Sequence, residues 1–165
     1  MSAARHTFSD REGLRIAVEM ERRGEDFYRR AALVSTSPEA IAQLKSLADD
    51  EVRHRREFTR LYEQAGDVPE TPYDEETNAY LSAIAADIVF TGGLMALRRT
   101  GFNSPADVLR EAIASEKDSV LFYTELAARA GTDTARDTFL EIARQERGHL
   151  SILTDRLIQI SGQKD

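Results

Sequence analysis

Four glutamates and two histidines recur at fixed spacing along this sequence of 165 residues. In each of two segments a lone Glu is followed 30 positions later by a Glu-x-x-His pair, and the second segment repeats the first at an offset of 95 positions. The six residues are Glu21, Glu51, His54, Glu116, Glu146 and His149. Self-similarity over tens of residues indicates a duplicated structural unit. Because hydrophobic packing does not require Glu or His, their repetition indicates a chemical site.

The lone glutamates stand on the apolar faces of predicted helices. Glu21 is seven residues from both Leu14 and Tyr28, which places these three side chains on one stripe of a helix. Buried ionised carboxylates are costly unless a cation compensates them. Two divalent cations would balance the four glutamates while both histidines stay neutral. These residues therefore predict a dinuclear metal site.

The donor set indicates which metals the site would take. In a Glu-x-x-His pair the carboxylate and the imidazole share one face of a helix, and Glu21 and Glu116 are expected to bridge from across the bundle. A carboxylate-rich site with two imidazoles favours iron or manganese and open positions for dioxygen or peroxide, although zinc also fits. The sequence has no Cys, which excludes thiolate ligands. The residues alone predict two ions, iron or manganese, with zinc also possible.

Four other polar residues are candidates for supporting these ligands. Asp50 and Gln145 directly precede the glutamates of the two pairs, and each is expected to accept a hydrogen bond from a ligand histidine on the partner helix. Tyr28 and Tyr123 could bond to ligand carboxylates or relay electrons, but an inward tyrosine is more often a packed ring with a satisfied hydroxyl. No catalytic residue beyond the metal ligands is assigned.

Start and stop motifs predict four long helices that would position these residues. Hydroxyl caps followed by early acids or prolines mark the starts, and glycines mark the ends of the last three. The predicted helices cover about residues 10–35, 37–66, 104–131 and 132–162. Each is roughly 40 Å long at 1.5 Å per residue.

The connections between these helices predict their arrangement. Loops of a few residues force two antiparallel hairpins, and residues 67–103 form a long crossover with a short helix at about 75–89. We therefore predict an all-α fold, an antiparallel four-helix bundle made of two duplicated hairpins. The chain would be one domain over residues 1–165, with repeat units at about 10–66 and 104–162.

The sequence resembles the rubrerythrin-like branch of the ferritin-like superfamily over nearly its whole length. The segments that carry the resemblance are residues 21–28, 51–54, 116–123 and 146–149. The resemblance implies a ferritin-like bundle with a di-iron centre whose ligands are the four glutamates and two histidines named above.

The sequence departs from the rubrerythrin pattern in two places. Typical rubrerythrins carry a rubredoxin domain with four Cys, which this sequence lacks, so the resemblance implies a separate electron donor such as a rubredoxin-type protein. They also have a further Glu one turn after the ligand of the third helix, used in redox-linked ligand exchange, where this sequence has Ser119.

Three functions are compatible with such a site. The first is an oxidoreductase that reduces hydrogen peroxide or dioxygen at a carboxylate-bridged di-iron centre. The second is a ferroxidase or an iron storage or transfer protein. The third is a redox-silent metal-binding module, in which the metal only stabilises the bundle.

Composition excludes several other classes. A net charge of -7 without a basic block argues against nucleic-acid binding, and no apolar run reaches the roughly 20 residues of a membrane span. No secretory signal opens the sequence, so a cytoplasmic location is expected. A homodimer is expected from an outer apolar strip on the crossover, formed by Leu81, Ile84, Ile88, Leu94 and Leu97.

Overall fold

A computed structural model describes residues 8–66, 71–85 and 104–162, and these ranges are almost entirely helical. The helices are α1 (Asp10–Val34), α2 (Pro38–Ala65), α3 (Glu75–Ala85), α4 (Pro105–Arg129) and α5 (Asp133–Ser161). The bounds of the four long helices agree with the predicted ones to within two residues at each end. The predicted all-α four-helix bundle is confirmed.

Hydroxyl side chains begin all four long helices, as the sequence motifs predicted. Ser9, Ser37, Ser104 and Thr132 each accept a hydrogen bond from the backbone N–H three residues further on. Each bond satisfies one of the backbone donors that a helix start leaves free. Three-residue connections then fold α1 onto α2 and α4 onto α5 as antiparallel hairpins.

The core consists of two apolar clusters with the polar residues between them along each long helix. One cluster contains Phe58 and Phe122, and the other contains Phe27 and Leu153. On α2, for example, Glu51 and His54 stand between Ala48 of one cluster and Phe58 of the other. The polar site is therefore sealed at both ends by hydrophobic packing.

The short helix α3 covers the outside of α4. Leu81 is completely buried in the core cluster that contains Phe122, and Ile84 packs against the same cluster. Both residues were expected on an outer strip for dimer formation, and that expectation is wrong for them because α3 turns its apolar side towards the bundle. Ile88, Leu94 and Leu97 lie outside the described residues, as does the predicted helical stretch 86–89. The homodimer remains a prediction.

Among residues 8–66, 71–85 and 104–162, no helix combines the length and the hydrophobicity that crossing a membrane requires.

Candidate metal centre

The structure brings all six repeated Glu and His side chains together in the middle of the bundle. Helices α1 and α4 contribute one glutamate each, and α2 and α5 contribute one Glu-x-x-His pair each. No member of the set is more than 6% exposed. The residues brought together are Glu21, Glu51, His54, Glu116, Glu146 and His149.

The six side chains form two overlapping groups. The first contains Glu21, Glu51, His54 and Glu146, the second contains Glu51, Glu116, Glu146 and His149, and within each group one ligand atom per residue lies within 4.8 Å of all the others. Glu51 and Glu146 belong to both groups. The two groups are what two neighbouring metal ions with shared carboxylates would need.

The shared carboxylates differ from those expected. Glu21 and Glu116 were expected to bridge, but each lies beside one imidazole only: the Glu21 carboxylate is 3.3 Å from His54 Nδ1, and the Glu116 carboxylate is 3.4 Å from His149 Nδ1. Glu146 instead lies 2.8 Å from both imidazole Nδ1 atoms, one on each of its carboxylate oxygens. The helices that carry the Glu-x-x-His pairs place their glutamates centrally, so Glu51 and Glu146 are the carboxylates common to both groups.

Apart from the close contacts that they make with one another, several ligand atoms of this cluster have no hydrogen-bond partner within the described residues. They are Glu21 Oε2, Glu51 Oε1, His54 Nδ1, Glu146 Oε1, Glu146 Oε2 and His149 Nδ1. Buried polar atoms are nearly always hydrogen-bonded, so a converging set of unpartnered ones requires an explanation. Carboxylate oxygens and imidazole nitrogens are the donors that iron, manganese and zinc accept, and this set fits such ions.

Two buried tyrosines support the lone glutamates from the opposite hairpin. Tyr28 on α1 donates a hydrogen bond to Glu116, and Tyr123 on α4 donates one to Glu21. Burial, followed by the neighbouring carboxylates, raises the pKa of both hydroxyls well above the usual value. Both tyrosines therefore keep their protons and act as donors. At Glu21 the bond is accepted by Oε1, and Oε2 lies beside His54 Nδ1. At Glu116 the same oxygen, Oε1, accepts the bond and lies beside His149 Nδ1.

The two outer histidine nitrogens contact the residues that were predicted to hold them. His149 Nε2 lies 3.1 Å from the Asp50 carboxylate, and His54 Nε2 lies 3.0 Å from the Gln145 amide oxygen. Both contacts join α2 to α5. Once the ring is neutral, as metal binding requires, an N–H on Nε2 leaves Nδ1 with a lone pair that faces the glutamates.

Because several carboxylates lie close together, the side chains of the metal-free cluster favour their protonated forms. Burial first, and neighbouring glutamates second, raise the pKa of Glu21, Glu51 and Glu116. Burial lowers the imidazole pKa values, but the adjacent glutamates outweigh it and raise them to about 10 for His54 and about 11 for His149. Metal ions bind the deprotonated ligands, so binding must displace these protons.

We expect the metal-free protein to become less stable as the pH rises. A histidine whose pKa is higher when folded than the unfolded value of about 6.5 stabilises the fold fully below that value. This contribution is lost as the pH rises towards the folded values of about 10 and about 11. The raised glutamate pKa values act in the same direction. Urea unfolding of the metal-free protein across this range should show a falling free energy of unfolding, and a rising one would contradict the assignment.

A small cavity adjoins the cluster on the side formed by α1 and α4. Its volume is about 20 Å³, which is enough for one water-sized molecule. Its lining includes Gly24, Tyr28, Glu51, Ser115, Glu116 and Ser119. The sequence analysis did not predict this cavity, although small residues at the equivalent repeat positions 24 and 119 are a pattern that could have indicated it.

Gly24 is a site residue that the sequence analysis missed. A methyl group on its Cα would overlap the Glu51 carboxylate, so the absence of a side chain makes room for one of the two shared glutamates. The residue is in the middle of α1, where glycine normally weakens a helix. Its position therefore reflects the space needed by the cluster.

Comparisons with known proteins agree with this arrangement. The rubrerythrin family model matches residues 107–165, which include the glutamate of α4 and the Glu-x-x-His pair of α5. A Thermotoga maritima structure assigned as a ferritin-like diiron-carboxylate protein is 26% identical with a TM-score of 0.69, covering 91% of this chain and 95% of that one.

A hypothetical protein from Pyrococcus furiosus also has a TM-score of 0.69, at 19% identity and with 96% and 94% of the two chains covered, which shows the shared fold. No curated protein sequence matches the chain. The resemblance found in the sequence motifs is confirmed: residues 107–165 match the rubrerythrin model, and the chain has the ferritin-like four-helix fold.

Proposed function

We propose that this chain is a di-iron oxidoreductase that reduces hydrogen peroxide or dioxygen. The observation that carries the proposal is the convergence of six buried Glu and His side chains, with unpartnered ligand atoms, into two overlapping groups. The likeness to a diiron-carboxylate protein supports iron as the metal.

Each ligand has a distinct part in this proposal. Glu51 and Glu146 would hold both ions, one ion being completed by Glu21 with His54 and the other by Glu116 with His149. The chemistry that an iron pair supplies when bound is the transfer of one electron from each ion to an O–O bond. The hydroxyls of Tyr28 and Tyr123 hold Glu116 and Glu21 in place by donating hydrogen bonds to them.

The small cavity supports a substrate with very few atoms. A space of about 20 Å³ between α1 and α4 suits a molecule the size of water, dioxygen or peroxide. The Ser115 and Ser119 side chains line it beside Glu51 and Glu116. An organic substrate of several carbon atoms would not fit, which favours reduction of a small oxidant over oxidation of an organic compound.

The proposal requires electrons from another molecule. The sequence contains no Cys with which to bind a rubredoxin-type centre. We therefore propose a separate donor, such as a rubredoxin-type protein, that reduces the centre after each turnover.

The test begins with anaerobic Fe(II) loading of the full chain. We expect two tightly bound ions per chain in the wild type and none in a Glu51→Ala, Glu146→Ala double variant. Glu57→Ala is the matched control, because Glu57 is also on α2 but is half-exposed and pairs with Arg60. Rapid mixing with one equivalent of hydrogen peroxide should then oxidise both ions, with two protons consumed and two waters formed.

Other results would favour the other functions. Oxidation and retention of many ions per chain would indicate a ferroxidase or iron store, and tight binding without oxidation by either oxidant would indicate a redox-silent module. The absence of binding that depends on Glu51 and Glu146 would refute the di-iron proposal.

A further inference from the structure

The sequence repeat is strict at the cluster but broken directly behind the histidines. The offset of 95 positions pairs identical residues at all six ligand positions and at both tyrosines, yet it pairs Asp50 with Gln145. The residue that contacts the outer nitrogen of the imidazole is therefore a carboxylate for one histidine and an amide for the other.

The two contacts have the same geometry, so charge is what distinguishes them. His149 Nε2 is 3.1 Å from Asp50, and His54 Nε2 is 3.0 Å from the oxygen of Gln145. The Gln145 amide nitrogen donates to Glu141 at 3.0 Å, which fixes the amide with its oxygen towards the histidine. Both rings consequently donate from Nε2 and direct Nδ1 at the glutamates.

Of the two residues behind the histidines, Asp50 alone brings a charge within hydrogen-bond distance of the imidazole. Its side chain is 21% exposed, whereas its ion-pair partner Arg53 is 62% exposed and so is extensively hydrated. The Glu141 carboxylate contacts the amide nitrogen of Gln145, so Gln145 stands between it and the His54 imidazole. Glu141 also pairs with the exposed Arg144. An anionic hydrogen-bond acceptor makes an imidazole a stronger metal donor than a neutral acceptor does.

We propose that the two metal positions are inequivalent and fill in a fixed order. The position held by His149 and Glu116 fills first, and the position held by His54 and Glu21 fills second. Asp50 is the positioning residue that sets this order. The inference rests on the proposed dinuclear site. Loss of such an outer partner changes metal affinity by about 10–100-fold, so we expect a preference of about tenfold or more. The first ion also neutralises part of the charge of the shared carboxylates, which weakens binding of the second ion and separates the two steps.

The order of filling can be followed with Zn²⁺, which has no redox chemistry. The chain contains three histidines, so ¹⁵N-histidine labelling gives a simple NMR spectrum in which His6 is a reference. Substituting His54 and His149 in turn identifies the resonances of each, because the signals of the replaced residue disappear. We expect the His149 resonances to move during the first equivalent of Zn²⁺ and those of His54 during the second.

Charge-swapped variants test the cause of the order. Asp50→Asn keeps an acceptor for His149 but removes the charge, and should reduce the preference about tenfold or more, so that both histidines respond together. Gln145→Glu, made together with Glu141→Gln to avoid two adjacent carboxylates, should strengthen the His54 position. Combining all three substitutions should reverse the order.

Specific results would overturn the inference. They are a wild type in which His54 responds first, or an order that neither Asp50→Asn nor the combined variant changes. A wild type that binds fewer than two Zn²⁺ ions also overturns it. The Fe(II) loading experiment decides the proposed function independently, because it counts bound iron and does not depend on which position fills first.

Discussion

We expect replacement of Glu146 by Ala to remove tight binding of both proposed metal ions, and replacement of Glu116 by Ala to leave one ion tightly bound per chain. Glu146 presents one oxygen to each imidazole Nδ1 at 2.8 Å and belongs to both ligand groups, while Glu116 belongs to only one. The expected loss for Glu146→Ala exceeds the roughly 10–100-fold effect of losing an outer partner, since a shared ligand is removed. Metal analysis after anaerobic Fe(II) loading measures both stoichiometries.

The same experiment needs a check that the variants fold. Removing Glu146 leaves two buried imidazoles without their nearest carboxylate, so far-UV circular dichroism and thermal unfolding of the metal-free variants should accompany the metal analysis. The assignment of Glu146 as a shared ligand is wrong if a folded Glu146→Ala variant retains one ion as tightly as the wild type does.

We expect replacement of Gly24 by Ala to weaken the binding of both proposed ions, although this residue is not itself a ligand. The added methyl group would overlap the Glu51 carboxylate, which must then move away from its position between the two ligand groups. We expect a loss of about tenfold or more in Fe(II) affinity, comparable with the disturbance of an outer partner. Competition with a chelator of known affinity measures the change.

Gly148→Ala is the matched control for this substitution. Gly148 stands within the Glu-x-x-His pair of α5, but it is exposed and a methyl group there would meet no atom within 4 Å. Replacing an exposed glycine within a helix by alanine should stabilise the protein by about 0.5–1 kcal/mol. Metal affinity should not change in this variant, and an equal loss of affinity in both variants would refute the steric role of Gly24.

The sequence predicted the helices and the composition of the cluster because both depend on patterns within the chain. Helix caps such as Ser9 and Ser104 are local, and the repeat that relates Glu21 to Glu116 can be read without knowing the fold. Two hairpins built alike and packed together bring equivalent residues to the same level. All six predicted side chains therefore meet in the structure.

The roles within the cluster could not be predicted because they depend on how the helices are rotated against one another. Nothing in the sequence shows that Glu51, rather than Glu21, would lie between the two histidines. The partner of Tyr28 was similarly hidden: Glu21 is on the same stripe of α1 but about 10 Å away along the axis, so the hydroxyl bonds to Glu116 from α4. The buried side of α3 depends on where the crossover meets the bundle, which its sequence does not determine.

The supporting hydrogen bonds around the cluster all run between the two hairpins. Tyr28 bonds to Glu116 and Tyr123 to Glu21, and the outer nitrogens of His54 and His149 contact residues of the opposite hairpin. One hairpin alone thus lacks every support that its own ligands need. An ancestral single hairpin of this pattern would have completed its site only by pairing with an identical copy. Fusion of two copies would make that pairing independent of protein concentration, and would free positions such as Asp50 and Gln145 to diverge.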